Sequence, residues 1–346
     1  MIFTKICFLY RTYTYSKTGI NRFPFFYNFC TKYSDIMNIQ QLEYIVALDD
    51  HRHFVDAAES CHITQPTLTM QVRKLEEEIG VQIFNRGKKP IEPTQAGEEI
   101  IIRARQILRE ISDLRNYVST EQKSIEGEFR LGIIPTLAPY LIPRFLPQFV
   151  EENPKTHLRI EEIESEQLLK ALHNDRIDIG LMVTPAEEKQ IREIPLFYEP
   201  FLFYAPYDHP FMHNELIEDK LLDPAKVLVL TEGHCFRNQT LDICGKNNQN
   251  NNAFGFFYES GSIEALKSMV RKGIGYTLVP ELSVEPMTDK PFVRRFTEPE
   301  PVREVSIVAH QNFTRQLLID RLKDAVQNNL PENIKKTKSV KKIKWR

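Results

Sequence analysis

The chain has 346 residues, 45 Lys or Arg against 47 Asp or Glu, and a formal net charge of −2. This length exceeds the usual single domain and predicts two folded domains with connecting material, while 42% hydrophobic and 27% charged residues exclude a wholly disordered or fibrous chain. No apolar run approaches the roughly 20 residues that cross a bilayer, so no membrane partner is expected.

Residues 1–36 carry 11 aromatic residues, five Lys or Arg and a single acid, Asp35, with no helical or strand period. They read as an extension that is disordered or not translated, with Met37 as the expected start. From residue 38 the apolar Leu42, Ile45, Val46 and Leu48 recur at helical spacing, and a second short helix fits residues 53–61. In the third, Thr64 is a natural N-cap and Pro66 falls in the first turn, where a missing N–H does little harm. Leu68, Val72, Leu75 and Ile79 form its apolar face and Gly80 stops it. Two short extended pieces, 81–84 and 91–93, flank a turn at 85–90. Three helices and a basic hairpin over residues 37–95 predict a winged helix-turn-helix.

Recognition helices present polar side chains near their N-termini to base edges, while Arg, Lys and backbone N–H groups contact phosphates. Thr64, Gln65, Pro66, Thr67 and Thr69 stand at the first position; Gln65 can pair bidentately with adenine, and threonine methyls can touch thymine. Arg73, Lys74, Arg86, Lys88 and Lys89 suit phosphates. Yet residues 37–95 hold nine acids and six Lys or Arg, a net −3, so the case rests on clustering and not on charge.

A long helix is expected over residues 94–118, running into a linker at 96–124. Ile100, Ala104, Ile107, Ile111, Leu114 and Val118 repeat at alternating steps of four and three, which reads as a dimer seam or as a face packed on the same chain. Extended runs at 129–134, 157–163 and 177–183 then alternate with helical patterns at 140–152 and 166–173, the sign of a parallel-sheet α/β domain. Further strands at 201–205, 227–230, 276–279 and 305–309 carry it to about residue 330. That is long enough for two lobes, one near 125–197 and 305–330, the other near 198–304. Residues 331–346 hold seven Lys or Arg against Glu332 and read as a disordered basic tail.

The segment AAESCHITQPTLTMQVRKLEEEIGVQIFNR at 57–86, followed by TQAG at 94–97, resembles the winged-helix signature of the LysR-type transcriptional regulators. The resemblance implies a homodimer or homotetramer on promoter DNA, with RNA polymerase as a further partner. It also implies dimerisation through the linker helix and a C-terminal domain of periplasmic-binding-protein type that takes an effector between its lobes.

Five cysteines are too few for a secreted disulfide scaffold and no clean signal peptide precedes them, so a reducing, cytoplasmic, nucleoid-associated location is expected. There a close cysteine pair is more readily a switch than a staple. Cys235 and Cys244 enclose eight residues without Gly or Pro, which can form helix. A helix would separate the two Cα atoms by ~13 Å, whereas a disulfide needs them within ~7 Å, so oxidation would have to unfold the segment. On this spacing alone, two ordinary buried thiols are the favoured reading. His234, Arg237 and a helix N-terminus reached through Gly233 would favour a Cys235 thiolate. Cys61 reads as a core residue. His51, His53 and His62 have no metal-ligand spacing with the cysteines, and neither metal nor cofactor is expected.

The surroundings of the pair, LTEGHCFRNQ at 230–239, resemble the hydrogen-peroxide sensors of the LysR-type family, as do MNIQQLEYIVALDDHRHF at 37–54, GIIPTLAPYLIP at 132–143 and EALKSMVRKGIGYTLVP at 264–280. The resemblance implies a peroxidatic Cys235, a resolving Cys244, a peroxide-holding hydroxyl at Thr136, and His234 and Arg237 supporting the thiolate. It implies activation of antioxidant genes and reset by a glutaredoxin- or thioredoxin-type reductant. Three departures stand out: Ser165 where a second threonine is expected, Asn238 in place of an aspartate, and an asparagine-rich stretch at 245–253. Two other readings are a regulator with inert cysteines and a small metabolite in the lobe cleft, and a thiol peroxidase; a peroxidase has no use for the reader helix and wing, so no enzyme is expected.

Overall fold

The computed structural model describes residues 37–118, 125–245, 258, 260–335 and 340–344. The extension 1–36, the end of the linker at 119–124 and asparagine-rich residues 246–252 lie outside the described residues. Two units meet at the boundary between Ser112 and Asp113.

In the first unit, Asn38 opens α1 (Ile39–His51) through a reciprocal capping box with Gln41. Next come α2 (Phe54–Ser60) and α3 (Gln65–Ile79), then the paired strands β1 (Phe84–Asn85) and β2 (Glu92–Pro93), then α4 (Gln95–Val118). The wing strands are shorter than the sequence suggested. Leu42, Ile45, Leu48, Leu68, Val72, Leu75, Ile83, Phe84 and Ile101 share one core. Arg105, buried on α4, ties that helix to α1 through Asp49 at 2.8 Å and Asp50 at 2.6 Å.

The second unit begins with β3 (Gly127–Ile133), α5 (Ala138–Glu152), β4 (Thr156–Glu162), α6 (Ser165–His173) and β5 (Ile179–Thr184). β3 lies between β4 and β5, parallel to both, the arrangement that alternating strands and helices predict. Two long strands change the picture: β6 (Ile191–Tyr204) and, later, β10 (Glu300–His310) are antiparallel to each other, and β10 is antiparallel to β5. The sheet is therefore mixed and not parallel throughout. Between those strands come β7 (Leu216–Ile217), α7 (Cys235–Ile243), α8 (Ile263–Arg271), β8 (Thr277–Pro280) and β9 (Val293–Phe296). The expected strand at 227–230 is only a single bridge from Val227 to Tyr276. After β10 follow α9 (Gln316–Asn328), α10 (Glu332–Lys335) and β11 (Val340–Lys342).

β6 and β10 run through both lobes. Leu196 and Phe197 of β6 join the first core with Val305 and Ile307 of β10, whereas Phe201, Phe203 and Tyr204 belong to the second core with Leu266 and Leu278. The tail read from its charge as disordered is, over 332–335 and 340–344, folded: Ile334 and Ile343 are both buried. Charge counting missed it because two isoleucines among lysines are enough to anchor a short segment.

Candidate functional site

Gly233, at a φ of +94°, turns the chain into α7; a side chain there would also collide with the Glu164 carboxylate. His234 is the N-cap, and Cys235 opens the helix. Cys244 is the C-cap, its backbone N–H donating to the Thr240 carbonyl. Both thiols are free and buried, one at each end of nine helical residues, the expected helix. They lie in different cores: Cys235 packs in the first lobe's cluster and Cys244 in the second's. Nine steps of about 1.5 Å keep them far beyond disulfide reach.

Around Cys235 the dominant influence is burial, which pushes the thiol above its ordinary range. Three features act the other way: the Ser165 hydroxyl, the Arg303 guanidinium, and the backbone N–H groups at the start of α7. Ser165 is fully buried and its Oγ has no conventional partner among the described residues, which leaves it free to face the sulfur. Arg303, 1% exposed, is the hub. Its Nη1 donates to Thr136 Oγ1 at 3.0 Å, its Nη2 to the Thr136 carbonyl at 3.1 Å, and its Nε to Glu199 Oε2 at 2.8 Å, while its cationic carbon lies 5.3 Å from the Phe236 ring centroid. Glu199 is fully buried as well; burial raises its pKa and Arg303 counters this.

The structure thus brings Cys235, Ser165 and, through Arg303, Thr136 together. Arg237 donates through Nη1 to the Leu230 carbonyl at 2.7 Å. Burial lowers the pKa of His234 and the nearby Glu164 opposes that shift. At the far end of α7, burial pushes the Cys244 thiol up to about 12, partly offset by the neighbouring Tyr276 phenol.

Sequence reasoning missed Arg303, Glu199 and Tyr276. A signal existed for Glu199, the single charge in the otherwise apolar run at 194–204, a position that forces a buried charge to find a partner.

In the first unit, Thr64 caps α3 by accepting from the Thr67 N–H. Gln65 and Pro66 are exposed and Thr67 and Thr69 half-buried, with Gln65 Nε2 donating to Thr69 Oγ1 at 3.1 Å. Most of the candidate phosphate contacts are already paired: Arg73 with Glu77 at 2.8 Å, Lys74 with Glu78 at 3.5 Å, and Lys88 with Glu92 at 2.6 Å. These acids explain the unit's negative count. Arg86 pairs at 2.7 Å with Glu76, whose carboxylate also accepts from the Ile83 and Phe84 N–H groups; this fixes the wing to α3. Lys89 is exposed.

Residues 39–98 match the family model of the bacterial regulatory helix-turn-helix proteins of the lysR family, and residues 122–331 match that of the LysR substrate binding domain. The chain belongs to the LysR-type family of transcription regulators. Within it, the chain is 35% identical over 293 residues to the DNA-binding transcriptional dual regulator OxyR of Escherichia coli strain K12, covering 84% of this chain and 95% of that one. Among solved structures it resembles a full-length OxyR variant of Pseudomonas aeruginosa with a cysteine-to-aspartate substitution, at 34% identity and a TM-score of 0.75, over 85% of this chain and 99% of that one. It also resembles a hydrogen-peroxide-bound cysteine-to-serine OxyR variant of Corynebacterium glutamicum, at 27% identity and a TM-score of 0.57, over 86% and 94% of the two chains.

Proposed function

We propose that this regulator senses hydrogen peroxide by joining Cys235 to Cys244 and so controls antioxidant genes. One observation carries the reading: two free, buried thiols stand at the two ends of one short helix, each in a different core. The Cys235 thiolate attacks one peroxide oxygen, the O–O bond breaks, and the departing hydroxide takes a proton to leave as water, giving a sulfenic acid. Cys244 then attacks the sulfenic sulfur; an S–S bond forms, the S–O bond breaks, and a second water carries off the thiol proton. Thr136, Ser165, His234 and Arg237 are the supporting groups of this reading, and Arg303 joins them as the cation whose field reaches the sulfur.

The oxidised segment cannot keep the reduced helix, so a covalent event in the regulatory domain becomes a change of conformation. The chain acts once per oxidation and not by turnover, which makes it a sensor and not an enzyme. It works in the cytoplasm on promoter DNA through α3 and the wing, as a dimer or tetramer, with RNA polymerase as partner and a dithiol reductant for reset. No described helix is long and apolar enough to cross a membrane.

Peroxide treatment followed by alkylation and mass spectrometry tests the reading. The expected product is a Cys235–Cys244 crosslink reversed by dithiol and abolished by Cys235→Ser. Two free thiols after treatment, or a Cys235→Ser protein that still switches transcription with peroxide, would favour a metabolite effector instead.

A further inference from the structure

Beyond α10 the chain returns to lie against α7. Residues 340–342 pair in parallel with Glu300, Pro301 and Val302 of β10, and the Ile343 N–H donates to the Val302 carbonyl at 2.9 Å. The Ile343 side chain is buried in the cluster that holds Phe236, Ile243 and Cys244. From α7 itself, the fully buried Gln239 donates through Nε2 to the Ile343 carbonyl at 2.7 Å. Three lysines fasten the segment at its rim: Lys341 to Asp219 and Lys344 to Glu187, each at 2.8 Å, and Lys342 to Glu304. The Lys342 ammonium also sits 4.7 Å from the Tyr198 ring centroid.

We infer that residues 340–344 are a strap that holds the thiol helix in its reduced form and thereby sets the potential at which Cys235 and Cys244 join. The inference rests on the peroxide-driven disulfide proposed above. Gln239 is the fifth residue of α7, midway between the two cysteines. Joining the thiols brings their Cα atoms from ~13 Å to within ~7 Å, so α7 must come apart. The Gln239 to Ile343 bond requires the helix, and so does the packing of Ile343 in the core that Phe236 and Ile243 complete. Contacts made in one state and lost in the other bias the equilibrium toward the first. The strap therefore favours the dithiol.

The exposed lysine pairs add little individually; the buried isoleucine and the buried amide carry the coupling. The redox chemistry balances without the strap: peroxide takes two electrons from two thiols and leaves a disulfide and two waters, and an external dithiol returns the electrons while becoming a disulfide. The strap changes only the equilibrium constant between the two forms.

Full-length protein equilibrated in dithiothreitol redox buffers, then alkylated and weighed, gives that constant directly. Wild type is compared with a chain ended after Ser339 and with Ile343→Ser. Losing the buried aliphatic side chain alone amounts to at least about tenfold; the hydrogen bond to the backbone carbonyl of Ile343 is lost in addition only in the shortened chain. Both variants are expected to favour the disulfide at least about tenfold more than wild type, a midpoint at least about 30 mV more negative for a two-electron couple, and Lys344→Ser to stay within about twofold. Midpoints within twofold of wild type in both strap variants would overturn the strap. If the shortened chain loses its folded circular-dichroism signal, Ile343→Ser decides alone. Failure of the disulfide reading shows separately, as free thiols in the wild-type arm before any variant is compared.

Discussion

Arg303 shows how one side chain ties the chemistry to the fold. It is buried on β10, pairs with Glu199 on the neighbouring β6, and also donates to Thr136. A buried pair contributes little net stability, but breaking it strands the survivor. Arg303→Met is expected to cost about 3–5 kcal/mol in denaturant unfolding, and to slow peroxide oxidation of Cys235 by removing a cation that lowers the thiol pKa. Arg303→Met with Glu199→Leu is expected to recover most of the stability and none of the oxidation rate. Recovery of both would mean that Arg303 serves the fold alone. Few of these roles are legible locally: Thr136, Ser165 and Cys235 lie on three segments that only folding assembles.

At the scale of elements, α3 illustrates a residue with two duties. Thr64 is exposed, yet its hydroxyl caps the helix, so its loss should weaken both fold and binding. Thr64→Ala is expected to cost about 0.5–2 kcal/mol of stability. Thr64→Asp should keep the cap while placing a negative charge beside DNA phosphates, giving near wild-type melting with weakened operator binding in a gel-shift titration. Equal operator affinity for Thr64→Asp and wild type would remove Thr64 from the interface. The helix was legible because its cap, its proline and its apolar period all agree. β6 was legible only at its end, since Pro195 and Pro200 interrupt a strand whose partners on β10 are more than 100 residues away.

For the whole molecule, the seam on α4 divides into a buried and an exposed part among the described residues. Ile107 and Leu114 are exposed, whereas Ala104 is buried against the first unit's core. The seam therefore serves two purposes, its N-terminal part closing the reader domain and its later part presenting apolar side chains outward. A dimer through that later part is the expectation that the alternating spacing sets. Ile107→Glu with Leu114→Glu is expected to convert the assembly to monomer in sedimentation velocity, with the α3 core intact by circular dichroism. An unchanged sedimentation coefficient would place dimerisation elsewhere.

The amino-acid sequence by itself determined the winged helix-turn-helix, the linker helix, the two-lobed regulatory domain, and the cysteine pair with its intervening helix. All of these depend on caps, periodicity and short spacings, which act between neighbours in the chain. Only the tertiary structure decided that Arg303 and Glu199 form the buried support of Cys235, that the two thiols lie in separate cores, and that a basic tail packs on the helix between them. Those outcomes depend on burial and on partners distant in the chain, and a count of charge or a local period carries no information about either.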